Sequence, residues 1–312
     1  MNEDFSIVII PDTQDVATFH PERLLKMAEW IVGNAESLNV KMILHVGDVV
    51  NNGALKEEQW QNHKAAFDRI DQAEIPLVFA IGNHDYDNIL NENRSSDAFN
   101  RYCGMARYKD RPWFGGVFED QKTENMFARM DIAGRKFLFL VLEFGPRDEV
   151  LDWAGRILEK YADHDAIVVT HAYMYPTGRR TQPGDQHNPK IYKGAHGAND
   201  GEDVWHKCLK HHQNVKAVFS GHHIPNHISY RFDLGAGQNL VFQSFQNWQC
   251  AECGGDARIK VLKYRPSLNQ IELNVVNPQT GESETEEGFA ISFLIEANHE
   301  QAAELAKVQF PN

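Results

Sequence analysis

The chain has 312 residues, 42% hydrophobic and 24% charged, an ordinary globular balance with length enough to bury a sizeable core. Its 31 basic and 44 acidic side chains leave a net charge of −13, which argues against a long nucleic-acid groove, where clustered Lys and Arg must neutralise phosphates. No stretch approaches the roughly 18 apolar residues of a membrane span.

Strand and helix signals alternate over the first 220 residues. Phe5 to Ile10 is an apolar run closed by Pro11 and reads as a buried strand. Pro21 to Leu38 carries apolar residues near helical period, with Pro21 suited to a helix start. Met42 to Val46 reads as a strand, Glu57 to Ala73 as a helix and Leu77 to Ile81 as a third strand. Asn88 to Pro112 is polar and reads as loop. Gly116 to Glu119, Asn125 to Ile132 and Lys136 to Leu142 read as consecutive strands, the last two joined at Ala133-Gly134. A helix over Asp148 to Ala162 and a strand over Ala166 to Thr170 follow. Tyr173 to Asn199 is a long Gly-, Pro-, His- and Asn-rich loop, of a length that in compact domains is usually functional or disordered. Glu202 to His212 reads as a helix and Lys216 to Ser220 as a strand. Beyond Gly221 come strands at Asn226 to Phe232, Asn239 to Phe245, Ala257 to Tyr264 and Ile271 to Val276, an acidic loop from Gly281 to Glu287, a strand at Phe289 to Ile295 and a helix at Glu300 to Val308. Phe245 to Trp248 and Gly254-Gly255-Asp256 read as a loop near the functional end. We expect one α/β domain over 1–312, with a core of about 5–275 and an extension over 276–312. The alternating half is expected to form one sheet and the strand-rich half to complete the other.

The opening Met1-Asn2-Glu3-Asp4 has neither a basic n-region nor an apolar h-region. That suits a cytoplasmic chain, or an exported one whose signal lies outside this sequence. Cys103, Cys208, Cys250 and Cys253 are too few for a disulfide scaffold, and Cys250-x-x-Cys253 has no second pair to complete a zinc site. Two ordinary thiols or a local disulfide are the readings there.

Five strands of the alternating part end in polar, metal-capable side chains. Ile10 leads into Pro11-Asp12-Thr13-Gln14, Val46 into Gly47-Asp48, Ile81 into Gly82-Asn83-His84-Asp85, Val169 into Thr170-His171, and Phe219 into Ser220-Gly221-His222-His223. Ligands bind at the carboxyl ends of strands in open α/β sheets, so the five ends could converge on one site. Gly47, Gly82 and Gly221 each precede a candidate, where a glycine admits a sharp turn and close backbone approach. Singly, each residue has a structural reading: Gly-Asp is a common turn, Asp12 suits a cap, and a lone histidine such as His171 is more often a hydrogen-bonded core residue. Five such ends in one chain favour the functional reading.

The set resembles the calcineurin-like metallophosphoesterase family, whose pattern is Asp-x-His, Gly-Asp-x-x-Asn, Gly-Asn-His-Asp, a lone His and Gly-His-x-His. All five blocks occur in order over residues 12 to 224, with Gln14 in place of the first histidine, as in one branch of the family, and Ile224 in place of the last. The resemblance implies two mixed β-sheets packed as a sandwich and flanked by helices, a four-layer fold. It implies one metal ion held by Asp48, Asn83, His171 and His222 and a second by Asp12, Gln14 and the bridging Asp48, with Mn, Fe or Zn as ions. The second ion is expected to be weaker, since Gln14 offers only an amide oxygen and Ile224 no ligand. It further implies hydrolysis of a phosphate monoester or diester by a metal-bridging hydroxide, His84 serving the leaving oxygen with Asp85 holding its ring. A small phosphorylated substrate is compatible with the negative net charge, because bound metal inverts the field locally. Arg179 and Arg180 could clamp a phosphate. Trp113, Phe114, Tyr173, Tyr175 and Trp248 could wall an organic leaving group, although core packing suits each singly. The competing readings are a non-catalytic relative acting as a ligand-binding module and a single-metal hydrolase of another bond.

Overall fold

The computed structural model describes residues 3–88, 93–224, 227–286 and 288–307. Asn226 and Val308, expected to open a strand and close the last helix, lie outside these residues, as does Glu287 of the acidic loop. In chain order the strands are β1 (Phe5–Ile10), β2 (Val40–His45), β3 (Leu77–Phe79), β4 (Phe114–Val117), β5 (Met126–Ile132), β6 (Arg135–Leu142), β7 (Asp165–Thr170), β8 (Val215–Ser220), β9 (Ile228–Leu234), β10 (Leu240–Gln246), β11 (Ile259–Arg265), β12 (Gln270–Asn277), β13 (Glu282–Ser283) and β14 (Ala290–Leu294). The helices are α1 (Gln14–Phe19), α2 (Pro21–Asn34), α3 (Glu57–Gln72), α4 (Asp97–Cys103), α5 (Asp148–Lys160), α6 (Gly201–Lys207) and α7 (His299–Leu305).

Two mixed sheets face each other. One runs β13-β12-β11-β1-β2-β3, with β14 also paired to β12, and the other β4-β5-β6-β7-β8-β10-β9. This corrects the expected division of strands between sheets. The alternating half is split, with β1 to β3 in one sheet and β4 to β8 in the other, and the late strands β11 to β14 return to lie beside β1. Period-two patterning makes the layers. Phe137, Phe139 and Val141 of β6 point between the sheets, where Phe137 meets Phe5 edge-on at 5.7 Å and Phe5 stacks on Tyr264 at 4.8 Å. Leu138, Leu140 and Leu142 point outward and bury against Val150, Leu151, Ala154 and Leu158 of α5, spaced as one helical face. On the other sheet, Leu24, Met27 and Ile31 of α2 and Trp60, Phe67 and Ile70 of α3 form the outer layer.

Two helices escaped the sequence patterns. α1 has only six residues and no side-chain cap. α4 lies in the polar stretch read as loop, and its first N–H groups are capped from a distance: the Asp87 carboxylate accepts from Asp97 N at 2.8 Å and from Ala98 N at 2.9 Å. All four cysteines are free. Among the described residues, no helix is long and apolar enough to cross a membrane.

Candidate metal centre

β1 and β2 run parallel in one sheet, and β7 and β8 in the other, so their carboxyl ends emerge at one end of the sandwich. Backbone hydrogen bonds tie these ends together. Thr13 N–H donates to the Asp48 carbonyl at 3.0 Å and Gly221 N–H to the His171 carbonyl at 2.9 Å. The buried His45, outside every motif, completes the join. Its Nδ1 accepts from Gly47 N–H at 3.1 Å, its Nε2–H donates to Thr13 Oγ1 at 3.0 Å, and Thr13 Oγ1–H donates to the Val49 carbonyl at 3.1 Å. Burial pushes His45 down to about 3, with His171 adding to the effect, so the ring is neutral as this relay requires.

Two glycines are there for close approach. A Cβ on Gly82 would lie 2.1 Å from Asp48 Oδ1, and one on Gly221 would lie 1.9 Å from Asp12 Oδ1. Gly221→Ala is therefore expected to push Asp12 aside, costing about 1–3 kcal/mol of stability by overpacking and weakening any metal binding at this end of the sandwich. A manganese titration indistinguishable from that of the unsubstituted chain would refute this. Strain is also held by the candidates themselves: Asp48 has φ 50° and His222 φ 79°, a left-handed conformation uncommon outside glycine and often found at functional sites.

Asp48, His171 and His222 are buried together, and one ligand atom from each lies within 4.8 Å of the others. His171 Nδ1–H donates to the Val46 carbonyl at 2.9 Å, which turns Nε2 inward to lie 3.2 Å from Asp48 Oδ2. His222 Nε2–H donates to the His187 carbonyl at 2.8 Å and leaves Nδ1 as its lone-pair nitrogen. Burial would raise the Asp48 carboxyl, but the imidazoles of His171 and then His84 outweigh it and hold it well below the usual range. Burial depresses His171, yet Asp48 and then Asp12 lift it to about 9. Burial and the neighbouring His171 push His222 down to about 3. Asp12 goes the other way, raised by burial first, although His222 N–H donates to Oδ2 at 3.0 Å and Asn247 Nδ2–H to the same oxygen at 2.9 Å. A dication would reverse that balance by supplying positive charge between the carboxylates.

The donor set fits a metal ion. Two predicted ligand atoms, Gln14 Oε1 and Asn83 Oδ1, are buried without a hydrogen-bond partner, and His171 Nε2 faces the Asp48 carboxylate. An unsatisfied buried polar atom costs about 1–3 kcal/mol, so two such oxygens among the strand-end candidates call for an occupant. His223 is buried beside Tyr175, the ring centroids 4.8 Å apart.

Other candidates are placed differently. His84 Nδ1–H donates to the Asn51 carbonyl at 2.8 Å and so takes its orientation from that loop. The Asp85 carboxylate instead accepts Val50 N–H at 3.0 Å and Gly82 N–H at 2.8 Å, bracing the second and third motif loops. Burial, with Asp48 nearby, pushes Asp85 up to about 7. Arg179 is committed to the Asp185 carboxylate at 2.6 Å and lies over the Tyr175 ring at 4.5 Å. Arg180 pairs with Asp233 at 2.6 Å and with Glu202 at 3.2 Å. Guanidinium groups neutralised in this way have little charge left for a phosphate. The aromatic candidates do not form one wall. Tyr173 is a core residue donating to Gln243 Oε1 at 2.7 Å, Trp113 packs on Tyr108, and Trp248 stacks on His227. Residues without a motif signal also support the centre: His187, inside the loop that its length had marked as functional, and Asn247 and Gln249, on the late loop read as lying near this end.

Residues 5–225 match the model of the calcineurin-like phosphoesterases. The chain belongs to that family. The uncharacterized protein YvnB of Bacillus subtilis (strain 168) is 27% identical over 281 residues, which cover 88% of this chain and 20% of that protein. The chain therefore spans about a fifth of that relative's length. Among solved structures, the purple acid phosphatase PPD1 of yellow lupin (Lupinus luteus) seeds superposes with a TM-score of 0.58 at 12% identity, covering 94% of this chain and 54% of that one. A dimetal phosphatase from Danio rerio gives 0.58 at 10% identity, covering 94% and 99%. GAP50, the anchor in the inner membrane complex of Plasmodium, gives 0.53 at 11% identity, covering 96% and 93%. At these identities the structures share the fold alone. Family membership and the buried Asp48–His171–His222 cluster mark this end of the sandwich as the candidate metal site.

Proposed function

We propose that the chain hydrolyses a phosphate monoester or diester at a two-ion centre of the Asp-x-Gln branch. Asp48, Asn83, His171 and His222 would hold one ion, and Asp12, Gln14 and Asp48 the other. The observations that carry the reading are the two buried, partnerless amide oxygens, Gln14 Oε1 and Asn83 Oδ1, and the buried Asp48–His171–His222 cluster. Mixed oxygen and imidazole donors suit Mn, Fe or Zn. Bound there, such ions supply Lewis acidity and a water of lowered pKa. The chain's own groups do the rest. Asp48, on the loop after β2, would hold the centre together, and His84, oriented by the Asn51 carbonyl, would serve the leaving oxygen with a proton. Asp85 is a positioning residue, tying the Gly82 turn to the Val50 turn. The likeness to a dimetal phosphatase agrees with this reading, but GAP50, titled an anchor, has the same fold, so the donor set has to carry the argument.

The test is a screen of aryl phosphate mono- and diesters with Mn, Zn, Fe and Mg, alongside Asn83→Ala. Turnover in at least one metal, lost in the variant, is expected. No hydrolysis with any metal, and no metal uptake above background, would end the proposal. Metal should also stabilise the fold: at about 100-fold over Kd it adds about 2.7 kcal/mol, several degrees in Tm, which chelation should reverse.

A second reading is favoured by Ile224, 40% exposed where the family pattern has an imidazole. It is a single-ion relative that binds a ligand without turning it over. One tightly held ion per chain, with no turnover in excess manganese, would select it.

A further inference from the structure

The loop after β10 carries Asn247-Trp248-Gln249, with the same two-residue spacing as Asp12-Thr13-Gln14, and its polar members meet those residues one to one. Asn247 is 2% exposed. Its Nδ2–H donates to Asp12 Oδ2 at 2.9 Å, its Oδ1 accepts Gln249 N–H at 2.8 Å, and its backbone N–H donates to the His227 carbonyl at 2.8 Å. Both ends of its carboxamide are therefore fixed. Gln249 Oε1 accepts a hydrogen bond from Gln14 Nε2. Trp248 anchors the loop, stacked on His227 at 6.2 Å and edge-on to Phe289 at 6.1 Å.

We infer that Asn247 and Gln249 are positioning residues for the Asp12–Gln14 side of the centre, and that Gln249 decides which end of the Gln14 carboxamide faces the ion. The inference rests on the two-ion reading above. A carboxamide has one end that can ligate and one that can only donate, and a half-turn about its last bond exchanges them. Gln249 presents an acceptor, so the N–H end of Gln14 turns to it, and Oε1 is left buried and without a partner. Asn247 presents a donor to Asp12, an acceptor, and fixes its rotamer together with His222 N–H. Ile224 supplies no ligand on this side, so a chain with one donor fewer depends more on the aim of those it keeps. Partners of this kind typically alter metal affinity by about 10–100-fold.

The test is a double-substitution cycle on the full chain, reading ion count by elemental analysis and the second-ion Kd by manganese titration. Gln249→Ala, and Gln249→Met of similar bulk, should weaken the second ion by at least about tenfold while the first ion and Tm stay as they were. Gln249→Glu keeps an acceptor for Gln14 and should retain the affinity. In a Gln14→His background the ring needs no amide turned for it, so Gln249→Ala should change the second-ion Kd by less than about threefold. An equal loss in both backgrounds would mean that Gln249 is itself a ligand, or merely structural, and would overturn the orientation role. No loss in either background would overturn it too. An unsubstituted chain that takes up a single ion would instead overturn the two-ion reading, and this inference with it.

Discussion

On the proposed two-ion centre, Asp48→Ala is expected to empty both positions and to cut turnover by at least about 10³-fold, since metal and its Lewis acidity supply several kcal/mol and each 1.36 kcal/mol is a factor of ten. The size of the effect follows from how much converges on one carboxylate. Oδ2 faces His171 Nε2 at 3.2 Å, and Oδ1 accepts His84 N–H at 3.0 Å. Its neighbours keep it ionised against burial, as a metal ligand must be. Its removal also strips His171 of the partner that most offsets the effect of burial on that ring. Asp48→Asn separates charge from shape: it keeps the bulk and one oxygen, and should still lose most of the metal affinity. Metal content and steady-state rates in up to millimolar manganese decide the matter. If Asp48→Ala retains full activity, the bridging role assigned to this residue is wrong.

Much of this centre could be read from the sequence because its chemistry is local. Each candidate ligand follows its own strand within a few residues, and a glycine marks the close approach, as at Gly82 beside Asp48 and Gly221 beside Asp12. Partners set by tertiary structure could not be read in that way. Asn247 and Gln249 reach Asp12 and Gln14 from 235 residues away, and Asn-x-Gln is a common spacing with no local signature. His84 and Asp85 are adjacent in sequence, but a turn sends successive side chains apart, one to the Asn51 carbonyl and the other to the Val50 and Gly82 amides. The pairing of Arg179 with Asp185 is short in sequence, yet it depends on a loop conformation that composition does not fix. The division of strands between sheets was hidden for a similar reason. Apolar runs show that β11 is a strand, but its place beside β1 is a contact across some 250 residues of chain. Within β11, the lysine at 260 is the residue that patterning would most readily place in solvent, and it lies inside the sandwich.

Lys260→Met is expected to stabilise the fold near pH 6 by about 3 kcal/mol, and to destabilise it near pH 10 by about 1 kcal/mol. Lys260 is 2% exposed and pairs with Ile9 in register, on the face of β11 that looks toward the other sheet. Its Nζ donates to Ser244 Oγ at 2.6 Å and to the Phe245 carbonyl at 3.0 Å, neither of them charged. Burial alone pushes the amine from 10.5 down to about 7. Between those values the unfolded chain holds a proton that the folded chain lacks, so stability rises with pH across the window and is flat below about 7. Below the window the folded state carries an unpaired buried charge, which methionine removes. Above it the amine is neutral, and methionine only forfeits the two hydrogen bonds. Urea titrations of both chains at pH 6, 8 and 10 isolate this group, since other titrations cancel in the difference. A difference that does not change with pH would refute the argument. Lys260 also pins the end of β10 immediately before Asn247 and Gln249, so Lys260→Met should loosen the loop that orients Asp12 and Gln14. A variant more stable at neutral pH yet weaker in its second ion would show why so costly a charge is held between the sheets.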